Sequence, residues 1–193
     1  MAALLPLGGR WTFSVFRKTG ARQEPYEAQM KVIASIGTAS EFWGVVCHCV
    51  PLSQVHDSIG VDVHLFREGI QPMWEDAANR DGGKWTLRLK KGLAHRYWEE
   101  LLMAVVGEQF DVGDELCGCV LSCRHTEDII SVWNKISLNR AGCLRIQQTI
   151  RRVLELPLEA HFEYKPHVQA LKDMSSYSSY RGASERTVLK SEQ

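Results

Sequence analysis

The sequence places an aromatic ring directly beside a carboxylate in a segment without apolar periodicity. Trp74 and Glu75 are adjacent within residues 69–83, where Gly, Pro, Asn and Asp predict a long loop. Trp133 ends a predicted strand, and Tyr26 lies in a polar segment. Because neither Trp74 nor Tyr26 falls on the apolar stripe of a helix or strand, both rings are candidates for contacting a ligand.

These residue types suit a planar, positively charged base. A glutamate carboxylate accepts two hydrogen bonds at once, which matches the N1–H and N2–H2 donors of guanine. Stacking on an aromatic ring contributes about 1–3 kcal/mol per base, and a cationic base such as N7-methylguanine adds a cation–π term of about 0.5–2 kcal/mol. Arg124 and Lys84 are candidates for binding phosphates attached to such a base.

Each candidate also has a purely structural interpretation. Taken alone, Trp74 is better explained as a ring that anchors its loop to the core, and Trp133 fits a core position as well as a binding position. Tyr26 would be an exposed loop residue, and Arg124 and Lys84 would be solvated charges at strand ends. The residue pattern by itself therefore leaves both interpretations open.

Catalytic and metal-binding motifs are scarce. Residues 82–85, Gly-Gly-Lys-Trp, do not form a phosphate-binding P-loop, and no Gly-x-Gly-x2-Gly or Gly-x-Ser-x-Gly pattern occurs. His161 and Glu163 have the spacing of a deaminase pair, but the accompanying Pro-Cys-x2-Cys is missing. The six cysteines lack the paired Cys-x2-Cys spacing of zinc sites, and we expect them to be reduced thiols because the sequence shows no secretory signal. We therefore predict that the protein is not an enzyme and binds no metal or cofactor. The alternative is a hydrolase or transferase whose catalytic residues form no recognisable motif.

The amino-acid composition limits the kinds of binding partner that the protein can have. The 193 residues suit one domain with a tail, and 23 basic residues balance 23 acidic ones. A net charge of zero argues against a protein that tracks long nucleic acid and against a polybasic membrane binder. No apolar run approaches the ~20 residues of a membrane-spanning helix, and the start lacks the basic region of a signal peptide. Binding one terminal nucleotide needs only a local group of cations, which Lys84, Arg88, Lys90 and Arg124 can supply.

Two periodicities predict the elements that position these residues. Alternating apolar residues predict strands over 10–16, 30–36, 61–66, 84–90, 117–124, 129–134 and 160–164. Helical spacing predicts helices after a Thr38–Glu41 capping box, over 94–107 and over 140–155. The first helix has an inner stripe of Phe42, Val45, Val46 and Cys49, which Trp43 does not join. The strand over 117–124 would bury Cys117, Cys119, Leu121 and Cys123 on one face.

Together these elements predict an α+β fold. About eight mostly antiparallel strands would form one sheet, with three amphipathic helices on one face and the other face free to bind a ligand. We expect residues 1–9 to form a short N-terminal segment, 10–171 the folded domain and 172–193 a mobile Ser/Tyr-rich tail.

Several segments, in order along the chain, resemble the mRNA 5′-cap-binding proteins of the eukaryotic translation initiation factor 4E family. They are Phe42-Trp43, Leu65 to Asp76, Gly82 to Trp85, Val106 to Glu108, Cys117-Gly118 and Ile130 to Trp133, and the resemblance covers about residues 5–170. A second set looks closest to the 4E-homologous branch, which includes the plant novel cap-binding protein: Tyr26-Glu27, Trp74 to Asn79, Glu127 to Ser131, Arg151 to Leu154 and Glu163 to His167.

The resemblance implies a strongly curved antiparallel sheet that holds the 7-methylguanosine cap on its concave side. Tyr26 and Trp74 would stack on the two faces of the base. Glu75 would bind its Watson–Crick edge, and Trp133 would contact the N7-methyl group. The positions that match phosphate contacts of the family are Arg124 and Lys84.

A second binding surface is implied on the convex, helical side. Trp43 matches the Trp that receives helical peptides with a Tyr-x4-Leu-hydrophobic motif, which explains its place off the inner stripe. Pro6 and Ala39 would flank this groove, and Glu100 and Met103 would face it. The expected partners are 5′-capped mRNA and either 4E-binding proteins or an initiation scaffold, for a cytoplasmic monomer that binds no membrane.

Three positions depart from the main initiation factor of the family. Tyr26 replaces a Trp and Ile129 replaces a phosphate-binding Lys, so we predict weaker cap binding; Ser14 replaces a Trp of the first strand. The predicted function is control of translation initiation, by repression or by initiation of selected messages. The alternative is a protein-interaction module with weak or lost cap binding.

Overall fold

The computed structural model describes residues 5–17, 29–49, 60–157 and 159–169. Its strands are β1 (Pro6–Arg17), β2 (Met30–Thr38), β3 (Val61–Arg67), β4 (Gly83–Lys90), β5 (Leu116–Cys123), β6 (Glu127–Asn134) and β7 (Phe162–Pro166). Its helices are α1 (Ala39–Val46), α2 (Ala94–Val106) and α3 (Arg140–Val153), and a short 3-10 turn spans Gly113–Glu115.

All seven strands form one curved sheet in the order β2-β1-β3-β5-β6-β4-β7, and every neighbouring pair is antiparallel. The predicted α+β fold is confirmed, with seven strands among the described residues where about eight were expected. β1 begins at Pro6, ahead of the predicted domain start at Arg10. The turn between β5 and β6 covers residues 124–126, so β6 begins earlier than predicted.

One face of the sheet packs against all three helices because each strand alternates apolar and polar residues. The alternation on β4 is typical: Leu87 and Leu89 are buried, while Arg88 and Lys90 between and after them are exposed. The helices contribute their apolar stripes to the same core, represented by Phe42, Leu101 and Ile146. None of the helices in the described ranges combines the length and apolarity that crossing a bilayer requires.

The capping box at α1 is confirmed. The Thr38 hydroxyl accepts a hydrogen bond from the Glu41 amide at 3.2 Å, and the Glu41 carboxylate accepts from the amides of Thr38 and Gly37 at 3.0 and 2.7 Å. These amides, the backbone of Gly37 first, lower the pKa of Glu41. α1 ends at Val46, so Cys49 lies beyond it and is exposed, and its predicted place on the buried stripe was wrong.

The cysteines of β5 divide between the two faces of the sheet. Cys119, Leu121 and Cys123 join the helical core as predicted, but Cys117 packs with Phe66 and Trp133 on the opposite face. A register shift between Leu116 and Gly118 causes this, because an extra residue reverses the alternation of the strand. The prediction that all four residues share one face was therefore wrong for Cys117.

Candidate functional site

A cavity of about 450 Å³ opens on the helix-free, concave face of the sheet. Side chains from β3, β4, β5, β6, the residue after β5 and the loop before β4 line it: Asp62, His64, Pro72, Met73, Trp74, Glu75, Lys84, Val120, Ser122, Arg124, Ser131 and Trp133. Five predicted site residues (Trp74, Glu75, Lys84, Arg124 and Trp133) thus meet at one cavity. The sixth, Tyr26, lies outside the described residues.

The loop that carries Trp74 and Glu75 is held by hydrogen bonds from its own side chains. The buried Asn79 amide donates to the carbonyls of Gln71 and Met73 at 2.7 and 2.8 Å. The Asp76 carboxylate accepts from the amides of Gln71 and Ala78 at 3.0 and 2.8 Å. Because these bonds bracket residues 72–75, they fix the backbone from which the indole and the carboxylate project.

Gly82 ends this loop where the chain passes closest to β6. A Cβ atom at Gly82 would overlap the carbonyl oxygen of Asn134. The absence of a side chain lets the loop join β4 beside β6, and the Gly82 amide donates to the Asn79 carbonyl at 2.9 Å. The close approach places the start of β4, with Lys84, next to Trp133.

Trp133 forms the inner wall of the cavity. It is 5% exposed and contacts Phe66 edge-on, with ring centroids 5.5 Å apart. Gly118, opposite Trp133 in the ladder, makes room for this contact, because a Cβ there would lie 2.6 Å from the Phe66 ring. On its other side, Trp133 packs on His167, with ring centroids 4.4 Å apart.

His167 is a buried neighbour of the site that the sequence patterns did not single out. Both of its ring nitrogens, and the indole nitrogen of Trp133, are buried without a hydrogen-bond partner. Burial, with a smaller contribution from the charge of Lys84, lowers the pKa of His167 to about 4. The imidazole is therefore neutral at pH 7, and it supports the Trp133 ring by packing.

The ammonium of Lys84 lies between the two indoles of the cavity. Its Nζ atom is 5.8 Å from the centroid of the Trp74 ring and 5.4 Å from that of Trp133. Burial lowers the pKa of Lys84, Asp62 opposes this effect, and Lys165 and Arg124 add to it. The contacts with the two rings therefore favour the ammonium at this position, whereas its desolvation opposes the charge.

Arg124 is fixed at the far end of the cavity. Its Nη1 lies 2.6 Å from Oδ1 of Asp62, and its Nη2 donates to Oδ2 of the same carboxylate at 3.1 Å. It also donates to the Cys123 carbonyl at 3.1 Å. Asp62 therefore orients the guanidinium toward the cavity that both residues line.

The floor of the cavity is polar, which the sequence analysis did not anticipate. His64 is 1% exposed, and its Nδ1 lies 3.2 Å from the hydroxyl of Ser14, the residue that replaces a Trp in the first strand. Burial lowers the pKa of His64 to about 4, although Asp62 opposes this. Ser122 and Ser131 add hydroxyls to the same floor. The alternation of Asp62, His64 and Phe66 on β3 was the signal available in the sequence.

The predicted partner surface lies on the opposite side of the molecule. Trp43 is 48% exposed on α1 and packs edge-on against the buried Phe42, with centroids 5.1 Å apart. Pro6 and Ala39 are neighbours, because Pro6 pairs with Thr38 and the Ala39 amide donates to Leu5 at 2.8 Å. The remaining two positions share one face of α2 at i, i+3 spacing: Glu100 and Met103.

The surroundings of these two α2 positions differ. Met103 is 42% exposed, although it is a large apolar side chain. Glu100 accepts a hydrogen bond from Nε of Arg96 at 2.9 Å, one turn earlier on the helix. Exposed Trp43 and Met103 therefore leave apolar surface on the helical side, as a peptide-binding surface requires.

Comparison with known proteins gives a consistent assignment. A family model described as eukaryotic initiation factor 4E matches residues 6–181. The eukaryotic translation initiation factor NCBP of Triticum aestivum is 43% identical over 177 residues, which cover 91% of this chain and 75% of the relative.

Two solved structures share the fold. Caenorhabditis elegans eIF4E-3, in complex with the 4E-binding protein Mextli and a cap analog, superposes with a TM-score of 0.81 at 35% identity, covering 90% of this chain and 96% of that one. Ascaris suum eIF4E-3 with m7G cap gives a TM-score of 0.79 at 36% identity, covering 85% and 92%. Sequence and fold agree over most of the chain, so this protein belongs to the eukaryotic initiation factor 4E family.

Proposed function

We propose that this chain binds the 7-methylguanosine cap of mRNA in the concave cavity and a helical partner peptide on the helical side, and thereby controls translation initiation. The observation that carries the proposal is the position of the Lys84 ammonium between Trp74 and Trp133, in a cavity that Glu75 also lines. A cation flanked by indoles is the environment that a methylated, positively charged guanine requires. The solved relatives bound to cap and cap analog support it.

In the proposed complex each side chain has a distinct role. Trp74 and Tyr26 stack on the two faces of the base, and the Glu75 carboxylate accepts hydrogen bonds from N1–H and N2–H2. Trp133 contacts the N7-methyl group from the inner wall. The base takes the space that the Lys84 ammonium occupies beside Trp74, with its N7-methyl group toward Trp133, and Lys84 then joins Arg124 in binding the phosphates. All of these contacts are binding contacts, so the chain acts without catalysis.

The partner peptide is proposed to bind around Trp43. A half-exposed indole with Pro6 and Ala39 on one side and Glu100 and Met103 on α2 suits an amphipathic helix with a Tyr-x4-Leu-hydrophobic motif. The complex of the C. elegans relative with a 4E-binding protein supports this choice. The occupant decides the outcome: a repressor blocks initiation and a scaffold promotes it. This role places the protein in the cytoplasm, as a monomer.

Tryptophan fluorescence titration tests cap binding. We expect 7-methyl-GTP to quench the emission at a far lower concentration than GTP does, because only the methylated base is cationic. Trp74→Ala should weaken binding of 7-methyl-GTP by about 10–100-fold, from the loss of stacking and cation–π energy. Trp43→Ala is the matched control, since it removes an indole from the opposite side and should leave the affinity unchanged.

Two outcomes would contradict the proposal. An equal response to 7-methyl-GTP and GTP would exclude recognition of the cap. Binding of a Tyr-x4-Leu-hydrophobic peptide without any response to 7-methyl-GTP would identify the chain as a protein-interaction module that has lost the cap. Pulldown on immobilised cap analogue, with identification of the co-purifying protein, then distinguishes repression from initiation.

A further inference from the structure

We propose that Arg88 and Lys90 form a second anion-binding site on the concave face, just beyond the cavity, which binds backbone phosphates of the RNA that follows the cap. The inference rests on the proposed function, because a cap in the cavity would direct the attached RNA across this face. It assigns a ligand class, RNA phosphate, to two exposed cations that do not line the cavity.

The strand register places these cations in line with the cavity. Lys84, Arg88 and Lys90 project from the same face of β4, because they alternate with residues of the helical core. Lys84 lines the cavity, and Arg88 is four residues further along the strand, about 13 Å away at ~3.3 Å per residue. The cationic side chains of Lys84, Arg88 and Lys90 thus form a row along β4 that extends out of the cavity.

The path across the sheet from the cavity to Arg88 crosses an apolar residue. Ser122 lines the cavity and pairs with Ile129, and Ile129 pairs with Arg88 on the next strand. No carboxylate therefore lies between the cavity and Arg88 in this row of the described sheet. An RNA backbone following the row would meet its next positive charge at Arg88.

The ion pair that Arg88 makes is exposed and can be exchanged. Arg88 pairs with Glu127, and their side chains are 65% and 34% exposed. Such surface pairs contribute little to stability, so a phosphate can replace the carboxylate as the partner. The neighbouring pair of Lys91 and Asp128 differs: Asp128 is 7% exposed, and Lys91 also donates to the Arg124 carbonyl at 3.0 Å.

The chemistry of the site favours phosphate. A guanidinium binds phosphate oxygens through two parallel hydrogen bonds, and Lys90 adds a second charge one alternation away. Carboxylates on the same face of the described sheet include Glu127, opposite Lys90, Glu163, opposite Thr86, and Asp62, which is paired with Arg124. Glu127 is the direct competitor of the RNA for Arg88, so neutralising it should strengthen RNA binding.

The test measures the affinity of the protein for two ligands. Intrinsic fluorescence reports binding of 7-methyl-GDP, and fluorescence anisotropy reports binding of a 5′-capped, unstructured RNA of about twelve nucleotides. We expect Arg88→Ala to weaken binding of the capped RNA about 5–10-fold at low salt, while the affinity for 7-methyl-GDP stays within twofold. The slope of log affinity against log salt should fall by about 0.7 for one lost phosphate contact on a single strand. Glu127→Gln should tighten binding of the capped RNA severalfold, a gain that misfolding cannot produce.

Arg96→Ala is the matched control, because Arg96 is 63% exposed and paired with a glutamate on the opposite face; it should change neither affinity. An equal loss for both ligands in Arg88→Ala would assign Arg88 to the phosphates of the cap itself and overturn the second site. An unchanged affinity for capped RNA in both Arg88→Ala and Glu127→Gln would overturn it as well. Failure of the cap proposal is distinguishable, since the unmodified chain would then not bind 7-methyl-GDP.

Discussion

The two faces of the sheet are built from the same strands but follow different rules. The helical face is apolar and closely packed, with Trp11, Leu101 and Leu121 completely buried. The concave face buries more polar groups, including His64, and leaves ring nitrogens of Trp133 and His167 without hydrogen bonds, whereas the helical face leaves the Trp11 indole nitrogen so. Such groups cost free energy. Apolar burial on the helical face therefore provides most of the stabilisation, and it offsets the cost of the polar groups buried on the binding face.

The largest expected effect of a single substitution comes from the helical face. Leu101→Ala removes a completely buried side chain between α2 and the sheet, and it should lower the free energy of unfolding by about 2–5 kcal/mol. Urea denaturation measures this loss, and the affinity for 7-methyl-GTP should remain unchanged in the folded fraction. A comparable loss of stability in Trp74→Ala, on the half-buried cavity wall, would show that the two faces do not divide stability and binding.

Asn79→Ala tests whether the cavity loop is pre-organised by its own hydrogen bonds. Removing the two bonds from the Asn79 amide to the carbonyls of Gln71 and Met73 should cost about 1–3 kcal/mol of stability. Because the same bonds bracket Trp74 and Glu75, cap affinity should fall as well, which fluorescence titration measures. Arg80→Ala, an exposed change in the same loop, is the control; unchanged affinity in Asn79→Ala would mean that the loop is held by other contacts.

The concave face should make the protein sensitive to acid. Burial lowers the pKa values of His64 and His167 to about 4, below the ordinary value of 6.5. The unfolded chain therefore binds protons that the folded chain does not, and stability falls as the pH drops from about 6.5 toward 4. Each histidine contributes up to about 1.4 kcal/mol per pH unit in this window.

Urea denaturation at several pH values between 4.5 and 7 measures this dependence. The double variant His64→Gln, His167→Gln should flatten the curve, whereas His95→Gln, at an exposed position on α2, should leave it unchanged. An identical pH dependence in the unmodified chain and the double variant would show that other groups cause the acid sensitivity.

The smallest expected effect restores a charge to the binding face. Ile129→Lys introduces a cation between Ser122, which lines the cavity, and Arg88. We expect cap affinity to rise about 2–5-fold at low salt, which corresponds to an exposed electrostatic contact of under about 1 kcal/mol. Leu138→Lys, in a fully exposed position, is the control for net charge. Unchanged affinity in Ile129→Lys would contradict the prediction that Ile129 weakens cap binding.

Regular elements followed from the sequence because their signals are local. The alternation on β4 predicted which side chains are buried, and the Thr38–Glu41 capping box marked the start of α1. Local patterns failed where a long-range contact changed the outcome. Cys117 left its predicted face because of a register shift in β5 that depends on pairing with β6, which no periodicity within β5 indicates.

Only part of the candidate site could be predicted from the sequence. Trp74 and Glu75 stood out because an aromatic–acidic pair in a loop has no packing role that periodicity explains. His64 and His167 did not stand out, since an isolated histidine in a strand or after one has no motif. Their importance arises from burial beside Asp62 and Trp133, and burial is a property of the assembled sheet.

The sequence by itself determined the family, the alternation of the strands and the residue types available for binding a cationic base. It did so because side-chain chemistry and periodicity of 2 or 3.6 residues are carried by each segment alone. Tertiary structure decided that Trp74, Lys84 and Trp133 surround one cavity and that Arg88 lies beyond it. These positions depend on antiparallel register between strands far apart in the chain, which is fixed only when the whole sheet forms.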